Sequence, residues 1–287
     1  MRARDAAILV RLPAALSVPG DTLAGMSSSA SGIVLDRRLA MPAASMLLYW
    51  SGMALNDFAD RDLDRVERPE RPIPSGRVHP GEALGLAAGL SVAGVATAAW
   101  AGGRPAAGAA LALVSTIWAY DLVLKNGPAG PAAMATARAL DVVLGAAVAG
   151  PGVARSTGLR PALAVGLHTA GVTLLSRGEV HGSDPALAGT ATAATLLAAA
   201  TAVSAGRRQP LALGLASVYA IAVARAQVAA VRSPDARTVR TATGAGIRGL
   251  VPLQAALLAG QGASRTALGL MALGPLLRAA SRKVSPT

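Results

Sequence analysis

Between Asn56 and Arg77 the chain reads NDFADRDLDRVERPERPIPSGR. This stretch holds six of the fifteen acids, Asp57, Asp60, Asp62, Asp64, Glu67 and Glu70, and five arginines, Arg61, Arg65, Arg68, Arg71 and Arg77. Asn56, Asp60 and Asp64 recur at every fourth position and fall near one face of a helix, with Asp57 a turn before Asp60 and Asp64. Like charges stacked in this way repel unless a cation lies between them. Oxygen-only ligands at such spacing suit Mg²⁺, which takes one or two carboxylates and completes its shell with water and phosphate oxygens. The competing reading is a solvated loop whose Asp and Arg side chains pair at i,i+1 and i,i+4.

The elements that must position these residues are apolar. Of 287 residues, 53% are hydrophobic and 15% charged, against about 25% charged in ordinary soluble domains. Leu39–Asn56, Ala83–Gly103, Pro161–Ser176, Pro185–Gly206, Gln209–Ala224 and Gly249–Ser264 contain no Asp, Glu, Lys or Arg. A bilayer span takes about 20 such residues. The sequence therefore predicts one all-α domain over residues 1–287, a polytopic transmembrane bundle of nine or ten helices. Expected spans are Leu12–Leu35, Leu39–Phe58, Glu82–Gly102, Pro105–Leu124, Pro131–Gly150, Pro161–Arg177, Pro185–Gly206 and Pro210–Val231, then Thr241–Gly260 and Thr266–Ala280 as two spans or as one span and an interfacial helix. Prolines 105, 131, 161, 185 and 210 suit first helical turns, and the 32 glycines suit close helix packing in a membrane.

The absence of cysteine excludes disulfides and thiolate metal sites. The net charge of +12 points to basic cytoplasmic loops and anionic membrane lipids as contacts, with no role for nucleic acid. With ten spans and an inside N-terminus, inside segments carry twice the Lys and Arg of outside ones, so the N-terminus is expected in the cytoplasm and the protein in the cell membrane. That topology brings the acidic stretch, the loop after Tyr120–Lys125 and the loop Arg177–Asp184 to one face.

NDFADRDLDRVERPERPIPSG closely resembles the first aspartate-rich motif of the UbiA superfamily of intramembrane prenyltransferases, N-D-x-x-D-x-x-x-D followed by R-P-I-P-S-G. Tyr120–Ala146, YDLVLKNGPAGPAAMATARALDVVLGA, is similar to the family's Y-x-x-x-x-K loop and the helix after it. TLLSRGEVHGSD, Thr173–Asp184, stands where the family carries a second acidic motif. It departs from that motif, offering Glu179 and Asp184 with Ser176 and Ser183 where acids are usual; in this it resembles the EboC-like branch more than the quinone or chlorophyll enzymes. The resemblance implies Mg²⁺-dependent transfer of a prenyl group from an isoprenyl diphosphate to an aromatic or lipid acceptor. It places Asn56, Asp60 and Asp64 on the metal, with Glu179 and Asp184 for a second ion. Asp57, Arg71 and Lys125 would stand at the diphosphate, Tyr120, Trp118 and Phe58 beside the developing carbocation, and Arg138 and Asp141 beside the substrate cavity, Asp141 where the family often has Asn and as a candidate catalytic acid or base on the acceptor side. Asp60→Ala or Asp64→Ala is expected to abolish transfer without unfolding. The thinned second motif keeps open a non-catalytic alternative, a lipid-binding, transport or scaffolding membrane protein with the same fold.

Other polar residues have simpler readings. Arg138 and Asp141, three apart on one helix, are placed to pair with each other. The aromatics also suit interfacial anchoring. His168, on an apolar helix, reads as a hydrogen-bonded core residue, and His181 as a solvated loop residue, since imidazole is a poor Mg²⁺ ligand. Asp21 and Arg225 read as structural.

Overall fold

A run of alanine, leucine, valine and glycine in an apolar solvent can satisfy its backbone only within itself, and the helix does so residue by residue. The structure, a computed structural model, describes residues 1–11, 18–26, 34–149, 158–205 and 209–273, and among them every regular element is helical. In chain order these are α1 (Ala3–Leu9), α2 (Pro19–Met26), α3 (Leu35–Ala59), α4 (Arg61–Glu67), α5 (Pro80–Ala119), a π-helical turn (Tyr120–Leu124), α6 (Gly130–Ala146) with a 3-10 turn (Ala147–Ala149), α7 (Leu159–Ser176), α8 (Pro185–Ala205), α9 (Pro210–Arg232) and α10 (Ala236–Gly260). Residues 264–273 form a further helix, α11.

Most expected spans are present, with shifted ends. α5 contains two of them. They are separated at Gly103, whose φ of 64° and ψ of −153° suit a residue without Cβ, just before Arg104 and Pro105. His79 and Glu82 form a reciprocal capping box at the start of α5, which fixes where the chain leaves the acidic loop. α10 begins at Ala236, earlier than the expected Thr241, because the Asp235 carboxylate accepts from the N–H groups of Arg237 and Thr238.

The expected first span, Leu12–Leu35, differs most. α1 ends before Arg11, whose φ is 47°, and helix resumes at Pro19; residues 12–17 and 27–33 lie outside the described residues. The expected Thr266–Ala280 segment and the ends of Pro131–Gly150 and Pro185–Gly206 also run partly outside them.

Among the described residues, four helical segments are long and apolar enough to cross a membrane: Pro80–Leu124 with its break, Gly130–Ala149, Pro185–Ser204 and Pro210–Arg232. α3 packs on α5, α5 on α6, and α6 on α7; α7 to α10 form the other half of the bundle. α2 joins the halves, lying on α6 and also touching α10. Glycine makes that joint possible: a Cβ at Gly25 would collide with the Val142 carbonyl, and one at Gly145 with the Thr22 backbone. One core cluster holds Leu253, Leu257, Tyr219 and Val223; a second holds Met41, Leu48, Leu113 and Leu144. His168 is buried and lies 2.9 Å from the Tyr219 hydroxyl, the core hydrogen bond its sequence context suggests.

The three loops expected on one face do meet. Lys125 reaches Asp60, Arg177 donates to the Gly127 carbonyl, and Ser183 N–H donates to the Pro234 carbonyl at 2.8 Å.

Candidate functional site

The acidic stretch is helical but not one helix. α3 ends at Ala59, Asp60 takes φ −89° and ψ 4°, and α4 resumes at Arg61. Asn56 and Asp57 thus sit on the last turn of one helix and Asp64 on the next. Asp57 and Asp64 are 4% and 1% exposed, which rules out a solvated face. The chain then folds back through Arg71–Val78, with Ile73 and Val78 buried against Leu9 and Ala83.

That return places Arg71 between the two buried carboxylates. Its Nη1 lies 3.2 Å from Asp57 Oδ1 and 2.7 Å from Asp64 Oδ2. Arg11 adds a second cation to Asp57, 3.1 Å from Oδ1. Arg68 stands 3.6 Å from Asp64 Oδ1. Lys125 Nζ lies 2.5 Å from Asp60 Oδ1. Each motif carboxylate therefore has a cationic partner from outside the Asn56–Asp64 ladder.

The facing wall is set by the π-helical turn. On a regular α-helix Asp121 and Lys125, four apart, would face each other. The wider turn over Tyr120–Leu124 breaks that register, a distortion that recurs at functional sites. Asp121 accepts from Asn56 Nδ2 at 3.2 Å while Lys125 goes to Asp60.

Below these groups is a cavity of about 290 Å³. Arg11, Asn56, Tyr120 and Asp121 line its charged end, Leu48, Leu113 and Ile117 its shaft, and Ser45, Tyr49, Arg138 and Asp141 its far end. Gly52 keeps α3 close to α5 there, since a Cβ would lie 2.9 Å from Ile117 Cγ2. At the far end Ser45 Oγ donates to Asp141 Oδ2 at 2.7 Å. Arg138 does not pair with Asp141; its Nη2 lies 2.9 Å from Asp21 Oδ2 across the bundle, and Gln254 Nε2 donates to Asp21 Oδ1 at 2.7 Å.

The UbiA prenyltransferase family matches residues 21–243. The chain belongs to this family. It is 48% identical over 52 residues to the digeranylgeranylglyceryl phosphate synthase of Methanothrix thermoacetophila, covering 18% of this chain and 20% of that protein. It is 54% identical over 50 residues to the 4-hydroxybenzoate octaprenyltransferase of Paraburkholderia phymatum, 17% of each chain. In the first curated relatives matched, the shared part spans a fifth to a third of their length. The fold is similar to that of a solved digeranylgeranylglyceryl phosphate synthase, with a TM-score of 0.71 at 19% identity over 90% of this chain and 97% of that one. It is also similar to a UbiA homologue from Archaeoglobus fulgidus bound to DMAPP and Mg²⁺, with a TM-score of 0.58 at 14% identity over 91% and 99%.

Within this UbiA fold the structure brings together Asn56, Asp57, Asp60, Asp64, Arg71 and Lys125; of these Asn56 lines the cavity, with Tyr120, Arg138 and Asp141, and the other five stand outside its lining. Glu179 and Asp184 do not line it. Asp184 Oδ1 accepts from Ala186 N–H at 2.6 Å and starts α8, and the Glu179 carbonyl accepts from Arg240. Trp118 is turned away, donating to Ser91 Oγ at 3.1 Å, and the Phe58 ring lies under the Arg61 guanidinium at 4.7 Å. Neither lines the cavity; Tyr49 does.

Asp121, Arg11 and Tyr49 are the residues that sequence reasoning missed. Asp121 had a signal: it is an acid closing the apolar run before Lys125. Arg11 had only its position, interrupting an apolar segment.

The donor set fits a hard cation in kind. Asn56, Asp57, Asp60, Asp64 and Asp121 offer oxygen only, and Asp64 Oδ1 is buried without a hydrogen bond. The acids are held apart by their cations, and among the described residues no three His, Asp or Glu side chains gather as metal ligands.

Proposed function

We propose that this chain is a membrane prenyltransferase that binds an isoprenyl diphosphate with Mg²⁺ at the Asn56–Asp64 end of the cavity and passes the prenyl group to an acceptor held lower in it. The carrying observation is a cavity with Arg11, Asn56 and Asp121 at one end and an apolar shaft beyond, next to the paired carboxylates and cations of the acidic stretch. An isoprenyl diphosphate has the same division into anion and apolar tail. The names of the curated relatives and the DMAPP and Mg²⁺ of the Archaeoglobus homologue support the reading.

Asn56, Asp60 and Asp64 would hold Mg²⁺, with Asp57 and Asp121 as adjoining oxygen donors and Glu179 and Asp184 as the remaining carboxylates for a second ion. Mg²⁺ supplies a Lewis acid that stabilises the leaving diphosphate. The cations now neutralising the carboxylates have the groups the substrate needs: Arg71 a fork for two phosphate oxygens, Lys125 a point charge. Tyr120 presents a ring to positive charge developing on the prenyl carbon. Basic bias puts the N-terminus and the three loops on the cytoplasmic side.

One observation favours a non-catalytic, lipid-binding role: the motif carboxylates already have cations, and Glu179 and Asp184 lie off the cavity. Isothermal titration of the purified protein with a non-hydrolysable geranylgeranyl diphosphate analogue separates the two. Enzyme chemistry requires binding that depends on Mg²⁺ and is lost in Asp60→Ala. Binding indifferent to both leaves the fold with a lipid-binding role.

A further inference from the structure

Arg225 reads from the sequence as a structural charge, yet the structure gives it nothing to pair with. It is exposed on α9, as Arg248 is on α10. Neither guanidinium has a hydrogen-bond or ion-pair partner among the described residues. The two arginines lie at one level of the bundle. α9 and α10 pack on each other across the turn at residues 233–235, and a Cβ at Gly249 of α10 would meet Val223 and Tyr219 of α9. From that crossing Arg225 is two residues and Arg248 one residue nearer the turn, about 3 Å and about 1.5 Å along the helix axes.

The surface changes character at this level. α9 is free of charge up to Ala224, and α10 from Gly249 onward. Toward the turn stand Arg225, Arg232, Arg237, Arg240 and Arg248, and the only carboxylate among residues 185–260 is Asp235, which caps α10. Away from the turn Val218 and Ile221 are exposed, and Ile247 is exposed beside Arg248. A Cβ at Gly244 would lie 3.2 Å from Arg248 Nη1, so the guanidinium lies back over the preceding turn of helix, toward the basic end. A long cationic side chain at the edge of an apolar span takes this course to reach the polar boundary. Once there it is costly to leave without an anion.

We propose that this level of α9 and α10 is a binding site for an anionic phospholipid. Its phosphate would meet Arg225 and Arg248, and its acyl chains would run along Val218 and Ile221. Guanidinium forks suit phosphate oxygens, and no carboxylate of these spans competes for them. The exposed apolar side chains beside the arginines argue for an anion that carries hydrocarbon over a soluble one. The site shares no residue with the cavity and does not rest on the prenyltransferase reading.

The test is native mass spectrometry of the purified full chain in detergent, titrated with dioleoylphosphatidylglycerol and, separately, with dioleoylphosphatidylcholine, which has the same chains and no net charge. Wild type should prefer phosphatidylglycerol about 30-fold, the effect of two arginines near a membrane surface. Arg225→Gln and Arg248→Gln should each reduce its affinity about fivefold, and together they should abolish the preference while leaving phosphatidylcholine binding unchanged. The double lysine variant, Arg225→Lys with Arg248→Lys, keeps the charge and should keep most of the preference, which separates lost charge from lost fold. Arg104→Gln, at the break in α5, should change nothing. Equal binding of the two lipids by wild type overturns the proposal, as does an undiminished preference in the double glutamine variant. Displacement of the lipid by an equal concentration of glycerol phosphate also overturns it, since the site would then take a soluble anion.

Discussion

Asp60 and Asp64 are alike in sequence and different in surroundings. Asp64 is 1% exposed and shared by Arg71 and Arg68, whereas Asp60 is 24% exposed and meets Lys125 alone. Breaking a buried pair from one side leaves an uncompensated charge and costs about 3–5 kcal/mol, and the cost falls as the pair is opened to solvent. Spacing suggests that either alanine variant should lose transfer and keep its fold. The structure divides them. Asp60→Ala should lose Mg²⁺-dependent donor binding and, because it leaves the buried Lys125 Nζ without its partner, also lower the thermal unfolding midpoint, but by less than Asp64→Ala, which should lose binding and unfold several degrees earlier. Equal midpoints would mean that Arg71 finds sufficient compensation in Asp57. Asp64→Asn, which keeps the shape, should recover part of the stability and none of the metal binding. At this scale the sequence was legible where residues lie close along the chain. The ladder Asn56, Asp60, Asp64 could be read from a single stretch; the pairing of Arg71 with Asp57 and Asp64 could not, since the family resemblance places Arg71 at the diphosphate. Arg11 could not, because its contact with Asp57 crosses 46 positions and depends on where a broken first helix ends.

Element boundaries were legible wherever a local signal set them, such as proline at the starts of α8 and α9 or the charge island after α3. The π-helical turn was not, because one extra residue in a helical turn leaves no mark on the spacing of a short stretch such as Tyr120–Leu124. Yet that turn decides where two charges go. Deleting Leu122 should reset the register to a plain α-helix. Asp121 and Lys125, three positions apart after the deletion, would then face each other as an i,i+3 pair, and Asn56 and Asp60 would both lose their partners. We expect the deletion to lower donor-analogue affinity at least about tenfold, roughly 1.4 kcal/mol, while the helix signal in circular dichroism stays at the wild-type level. Unchanged affinity would show that the register of this turn does not set the site. The Arg138–Asp141 pair makes the same point on α6. Sequence offered an intrahelical pair, and the structure takes the longer-range partner Asp21 because α2 lies directly on α6.

For the whole molecule, an all-helical bundle with its loops gathered at one end was legible from charge-free runs and the distribution of Lys and Arg, since both are summed over many residues. How the halves join was not legible, because it depends on small residues meeting across the bundle. Gly25 and Gly145 lie where α2 and α6 touch backbone to backbone. A side chain there cannot be absorbed by a rotamer change, because carbonyl and Cα atoms are in the way. Gly145→Val should force the helices apart at a cost of about 1–3 kcal/mol or more, and it should also move Asp21 away from Arg138, although position 145 touches neither. Gly189, where an added Cβ meets nothing within 4 Å, is the control. Thermal unfolding in detergent should fall by several degrees in Gly145→Val and by little in Gly189→Ala. Cross-linking between cysteines placed on α2 and α6 should weaken only in the first, a clean readout because the natural chain has no cysteine. If Gly145→Val unfolds with wild type and cross-links equally well, α2 is not the joint between the halves. The Asp21–Arg138 pair would then need another explanation than the packing that now brings it together.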